Sequence, residues 1–206
     1  MNIDKNNTLI IFSTGDSNYN ELKEHIIPLQ QSYDTLGLNM FNCFHYGCTY
    51  WNWNDRFLFR DCLYEHYIEI EDNKKPLLVT TDEVTKREFI NNNIKPYYTY
   101  EATTKYIPTN KEDNKLYIFK ASLHTAINTA IVEGYKNCII LFADLSYDKH
   151  AHFYDSEETK NKMQPRPTKR LNIMRESLYN FKQYANIYKT NHNDLDLEYI
   201  DIKEII

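Results

Sequence analysis

Glycine is scarce: four residues in a chain of 206. The dinucleotide-binding fingerprint needs three glycines in one turn, and a P-loop needs Gly-Lys-Ser/Thr. Neither is present. No apolar run reaches membrane-spanning length and no signal-peptide pattern opens the chain, so the expectation is a soluble, cytoplasmic protein. Cysteine is limited to Cys43, Cys48, Cys62 and Cys138, which in that compartment are expected to stay reduced. A net charge of −5 excludes a global basic field for duplex nucleic acid. There is no internal repeat and no long linker, and the length suits one domain over residues 1–206.

Tyrosine is abundant, with 18 residues offering stacking faces and phenolic donors. Short apolar runs alternate with amphipathic stretches. Strands are expected at 8–13, 35–41, 77–80, 115–119 and 138–143, with two more near the C-terminus at 186–190 and 197–202. The stretch 48–55 suits a strand end or a loop, and 55–67 reads as helical. Helices are expected over 18–32, with Pro28 a kink or stop, over 82–91, and over 168–184. The strongest segment is 115–144. Its helix carries Leu123, Ala126, Ile127, Ala130 and Ile131 on one face, Ser122 at the N-cap place and Gly134 at C′. The pattern predicts a doubly wound, Rossmann-like α/β domain with a mostly parallel sheet. The long polar segment 145–166 reads as a lid or loop.

In such a sheet ligands bind beyond the carboxyl ends of the strands. Ser13-Thr14-Gly15-Asp16-Ser17 follows the first strand and is either ordinary strand-to-helix punctuation or a cradle for a phosphate. Ser122 opens another anion-compatible helix end. Asp144, at the end of an apolar strand, is a substrate ligand or a cap. Asp55, closing the aromatic stretch Trp51-Asn52-Trp53-Asn54, is a further candidate for the substrate. His150 and His152 form an H-x-H pair that suits a general base better than a metal, since no third ligand is set by spacing. Cys43-x-His45-x2-Cys48, with Cys62 and His66 beyond, fits no standard zinc framework and reads as buried thiols. Lys160, Lys162, Arg166, Lys169, Arg170 and Arg175 form a late basic cluster, read first as a solvated face and otherwise as a nucleic-acid groove. Trp51 and Trp53 are core, interface or stacking residues.

Several of these pieces occur in a known order. Gly15-Asp16-Ser17 follows the first strand, Asn39-Met40-Phe41 ends the second, and "AIVEGYKNCIILFAD" runs into Asp144. Across residues 8–190 the chain resembles the family 42 bacterial sialyltransferases and related small phage and bacterial glycosyltransferase-like proteins. The resemblance implies a GT-A-like variant of the Rossmann architecture. It also implies inverting, metal-independent transfer from a nucleotide-sugar co-substrate, CMP-linked in that family, with no further cofactor. Thr14, Gly15, Asp16, Ser17, Asn39, Asp55, Ser122 and Asp144 would then line the nucleotide and substrate site. Tyr147 and Tyr154 would stand where lid tyrosines hold the leaving phosphate. The chain departs from the family pattern at Ser13, Asp16 and Leu123. The family's catalytic histidine has no counterpart before the last long helix, where Pro167 stands, which leaves His152 or His150 as the base. The acceptor would be a hydroxyl on a glycan or a modified nucleobase, and a homo-oligomer is compatible with the sequence. The alternatives are a nucleotide-binding or interaction protein without catalysis, or a nucleotide or diphosphate transferase on a related fold.

Overall fold

The strand β1 (Thr8–Phe12) is buried along its whole length. Leu9 and Ile11 leave it toward one hydrophobic cluster, Ile10 and Phe12 toward another. A strand covered on both faces belongs in the interior of a parallel sheet. A computed structural model describes residues 3–16, 18–54, 63–119, 121–143, 152–162, 167–191 and 195–206, and places β1 there. Its partners are β2 (Asp34–Leu38), β3 (Tyr50–Asn52), β4 (Leu77–Thr80), β5 (Tyr98–Thr99), β8 (Asn137–Leu141), β9 (Asn186–Lys189) and β10 (Glu198–Tyr199). The order is β10-β9-β8-β1-β2-β3-β4-β5 and every recorded pairing is parallel. β6 (Glu101–Thr103) and β7 (Lys115–Tyr117) form a separate two-stranded parallel sheet.

The chain moves outward from β1 through β2–β5, then crosses back to β8 on the other side of β1. Phe12 is in register with Gly37 on one side and Leu141 on the other. The reversal of strand order therefore falls between β1 and β8, where α/β sheets open a crevice at their carboxyl rim.

Helices cover both faces. Among the described residues they are, in chain order, α1 (Tyr19–Leu22), α2 (Ile26–Ser32), α3 (Phe41–Phe44), α4 (Tyr64–Glu69), α5 (Glu83–Asn91), α6 (Ser122–Val132), α7 (Glu157–Lys162) and α8 (Thr168–Tyr179). Residues of α6 and α8 pack on the Leu9–Ile11 face. Those of α2 and α3 pack on the Ile10–Phe12 face. Phe89 of α5 packs with Trp51 and Trp53. Every residue of α6 after Ser122 is buried, so this helix is the core element on its face.

The strand expected over 77–80 and the helix expected over 82–91 are found there, with Asp82 capping α5 through the Thr85 amide. The stretch 18–32 is instead broken into α1, a 3-10 turn at Lys23–His25, and α2. Only Ile26 and Leu29 are fully buried there, while Ile27 is exposed, so packing pins the second half alone. Pro28 sits in the first turn of α2, where a missing N–H costs nothing. The N-cap of α6 is Ala121 rather than Ser122. Gly134 does take the C′ place, with φ +94, its amide donating to the Ile131 carbonyl. β7 does not join the main sheet: the Tyr117 amide donates to Asn128 Oδ1 at 2.6 Å, tying the strand to α6.

Gly37 is a close-approach position. A Cβ there would collide with the amide oxygen of buried Asn42 and crowd the Phe41 ring. Gly37→Ala is expected to cost about 1–3 kcal/mol, read as a lower thermal midpoint; an unchanged midpoint would show that Asn42 moves freely.

Candidate functional site

Polar residues collect where β2, β3 and β4 end. Asn39, left-handed at φ 44, is held by Trp51, whose indole Nε1 donates to its carbonyl at 2.5 Å. Its Oδ1 accepts from the Asn54 amide at 3.3 Å, and its Nδ2 donates to Ser122 Oγ at 3.3 Å. Asn54 Oδ1 accepts from the Thr81 amide at 2.9 Å and hydroxyl at 3.1 Å, and Asn54 Nδ2 donates to Asn52 Oδ1 at 2.6 Å. A network of this kind orients amides before any ligand arrives.

Beside it lies a cleft of about 210 Å³ lined by Asn54, Ile118, Ala121, Ser122 and Thr125. No side chain caps α6, so its first amides and the positive end of its dipole face this cleft. Thr125 Oγ1 and Asn52 Nδ2 are buried and without a partner among the described residues. An unsatisfied buried polar atom costs about 1–3 kcal/mol, and Thr125 is the one of the two that lines the cleft, where a polar ligand or water would remove that cost.

The first turn is built differently from a phosphate cradle. The Ser13 amide donates to Leu141 O at 2.9 Å and the Gly15 amide to Phe142 O at 2.8 Å. These bonds close the turn onto the end of β8, where Phe142 is left-handed at φ 61. The helix that follows, α1, has only four residues. Gly15 thus presents no spare amide in this arrangement; it receives the segment that starts at His152. Gly15 forms an antiparallel bridge with His152. The Phe153 amide donates to Thr14 O at 3.2 Å. His152 Nδ1 lies 3.1 Å from the same carbonyl and 3.0 Å from Thr14 Oγ1. A carbonyl only accepts, so Nδ1 carries the proton and Nε2 is the acceptor nitrogen of the neutral ring. Asp155 Oδ2 takes the His152 amide at 2.6 Å.

The rings of His152, Phe153 and Tyr154 pack over this turn. His152 stacks on Tyr154 at 5.0 Å, Tyr154 on Phe44 at 5.4 Å, and Phe153 on Tyr19 at 4.2 Å. The structure therefore brings Thr14, Gly15, His152 and Tyr154 together at one part of the carboxyl rim, and Asn39 with Ser122 at a neighbouring part. Asp16 lies in the same first turn, its carbonyl accepting the Tyr19 amide at 3.3 Å. Ser17, Asp55, Asp144, Tyr147 and His150 lie outside the described residues.

Asn52, Asn54 and Thr125 belong to the site but were not singled out from the sequence. The signal was Trp51-Asn52-Trp53-Asn54. At the end of a buried strand this alternation sends both indoles to one face and both amides to the other. Trp51 and Trp53 are in fact core residues, meeting at 4.8 Å.

Behind the cleft, His124 is fully buried. Its Nε2 donates toward Ser177 Oγ at 2.8 Å and Met174 O at 3.0 Å, joining the first turn of α6 to α8. Burial lowers its pKa to about 4 although the Met174 and Ala121 carbonyls favour the charged form. The unfolded chain, with histidine near 6.5, takes up this proton first, so stability is complete above 6.5 and is lost as pH falls from there toward 4. The expected loss is about 3 kcal/mol. Denaturant melts of the wild type and His124→Gln at several pH values check it. The difference in slope between the two should vanish above neutrality; a wild type no more acid-sensitive than the variant would refute it.

The other clusters separate. Cys43 packs with Trp51, His45 bonds to Tyr19, and Cys48 accepts from Gln30, with burial pushing its thiol up to about 12. Cys43, Cys48 and Cys138 are buried and form no disulfide among the described residues, and Cys62 lies outside them. Among the described residues no three His, Cys, Asp or Glu side chains converge as a metal site. In the basic cluster, Lys162 pairs with Glu158 at 2.5 Å and Arg175 is buried, while Lys169 and Arg170 are exposed. Arg166 and the Lys160 side chain lie outside the described residues. Among the described residues no helix is long and apolar enough to cross a membrane.

No family model, curated protein or solved structure matches this chain.

Proposed function

We propose that this chain is a glycosyltransferase-like enzyme that moves a sugar from a nucleotide-sugar donor, CMP-linked by the resemblance in its motifs, to an acceptor hydroxyl. The observation that carries the reading is the cleft at the carboxyl rim. There Ser122 is bonded to Asn39, the N-terminus of α6 lacks a side-chain cap, and Thr125 Oγ1 awaits a partner. These groups suit the polar and anionic end of a nucleotide-sugar. The sheet order supports the placement, because the reversal at β1 and β8 opens the crevice on this rim.

In this reading the domain is a GT-A-like variant of the Rossmann architecture. His152 is the base: the Thr14 carbonyl holds its Nδ1–H, and Nε2 takes the proton of the acceptor hydroxyl. The freed oxygen attacks the anomeric carbon, the bond from that carbon to the phosphate oxygen breaks, and the nucleotide departs with the electron pair. The amides of α6 and the Tyr154 phenol stabilise the charge on the departing phosphate. No separate cofactor enters. Transfer is inverting and metal-independent, as in the family resembled.

Isothermal calorimetry with CMP, UMP, GDP and their sugar conjugates tests the reading. CMP and a CMP-sugar are expected to bind, with Thr125→Val weakening both. Nucleotide binding without donor turnover would favour a non-catalytic nucleotide-binding protein, and no binding across the panel would end the proposal.

A further inference from the structure

We propose that Phe153 is the latch of the lid and that a proton on His45 releases it. The inference concerns control of access to the rim and holds whichever ligand the cleft takes. Phe153 lies parallel to Tyr19 at 4.2 Å and edge-on to Phe41 at 6.2 Å and Phe44 at 5.6 Å, with His45 tilted at 5.9 Å. Its backbone amide is the one bonded to Thr14 O. Seating the ring and docking the lid on the first turn are therefore a single event. While it is docked, the Thr14 carbonyl and the Gly15 bridge are occupied by the lid itself.

His45, itself half-buried, stands among the rings that Phe153 packs on. Its Nε2 lies 2.7 Å from the Tyr19 hydroxyl, and the phenol donates to that nitrogen only while it carries no proton. The groups packed on it among the described residues are Tyr19 from α1, Phe41 from α3 and Phe153 from the lid. None of the three carries a charge at neutral pH that would offset an imidazolium. Burial lowers the pKa of His45. Lifting Phe153 returns water to the ring, so the released lid binds the proton more readily. Docking is thus complete above the ordinary histidine value of 6.5 and weakens as pH falls below it.

Two other ionisable groups sit in the docked segment. His152 donates Nδ1–H to the Thr14 carbonyl in both its neutral and its charged form, so its own protonation leaves that contact in place. Asp155 holds the His152 amide. A variant that removes the proton site at His45 alone separates these contributions.

Hydrogen exchange of the Phe153 amide, corrected for intrinsic exchange and followed from about pH 7.5 to about pH 5.5, is the test. Protection in the wild type is expected to fall several-fold over that range. His45→Gln keeps an acceptor for Tyr19 but cannot titrate, and its protection should stay level. Phe153→Ala should lose protection at every pH while the β1 amides stay protected. If the β1 amides are also lost, Phe153→Leu, which fills most of the pocket, replaces it and should show intermediate protection. A wild type with level protection, or a slope that survives in His45→Gln, would overturn the proposal.

Discussion

Donor turnover in His152→Ala is expected to fall about 10²–10⁴-fold, the usual contribution of a positioned general base, with nucleotide affinity little changed. The geometry separates the two effects. His152 is fixed by the Thr14 carbonyl and by Asp155 through its own amide, whereas the groups assigned to the nucleotide belong to β2, β3 and α6. Alanine keeps the backbone bridge to Gly15 and removes only the ring. Single-turnover measurements with a CMP-sugar donor at saturating concentration read the chemical step without the binding step. A pH–rate profile should lose its acid limb in the variant. Turnover equal to the wild type would remove His152 from the mechanism and leave His150 as the histidine to test.

A large stability loss at neutral pH is expected at Glu133, on the opposite rim. Its carboxylate, almost wholly buried, pairs with Lys111 at 2.5 Å and accepts from the Tyr50 and Tyr100 hydroxyls, each at 3.4 Å. Lys111 also reaches Tyr97 Oη at 3.2 Å and lies over the rings of Tyr97 and Tyr98. The charge thus joins the end of α6 to β3 and to the segment entering β5. Glu133→Ala would leave the Lys111 ammonium without its counter-charge, with only Tyr97 Oη beside it, and would take the acceptor from the buried Tyr100 hydroxyl, while Tyr50 keeps its 3.5 Å contact with the Tyr135 hydroxyl. Removing one partner of a buried pair costs about 3–5 kcal/mol. Lys111 is a third exposed and can turn to water, which brings the expected figure to about 2–3 kcal/mol. For a chain of this length that is a fall of about 5–10 °C in the thermal midpoint. Glu133→Gln retains an acceptor for the tyrosines and should lose less. A midpoint for Glu133→Ala within the error of the wild type would mean that the network adds nothing to stability.

The layout of the sheet could be read from the chain because its central strands are short, continuous apolar runs between polar stops. Leu77–Thr80 and the run beginning at Cys138 needed no tertiary information. The break in 18–32 and the departure of β7 from the main sheet did need it. In both places a local pattern was overruled by a side-chain contact or by the lack of one, Asn128 binding Tyr117 in one case and exposed Ile27 in the other. Asn39 and Ser122 were named from a motif and are bonded to each other. Thr125 was hidden because a threonine inside an apolar helix reads as filler, and only the unpartnered hydroxyl marks it. From sequence the glycine turn is either strand-to-helix punctuation or a phosphate cradle. Its amide is committed to Phe142, a pairing between residues far apart in sequence that no spacing reveals.

The central claim is that one bound nucleotide is shared by the α6 cleft and the lid. Amide chemical-shift mapping on isotopically labelled protein, titrated with CMP, addresses it directly. Shifts should concentrate at Asn39, Asn54, Ser122 and Thr125, and at His152–Tyr154 of the lid. A second cavity, about 620 Å³ and lined by Tyr46, Gly47, Glu69, Ile70, Glu71 and Lys74, lies toward the other rim. Shifts confined to those residues, with the α6 cleft silent, would contradict the account.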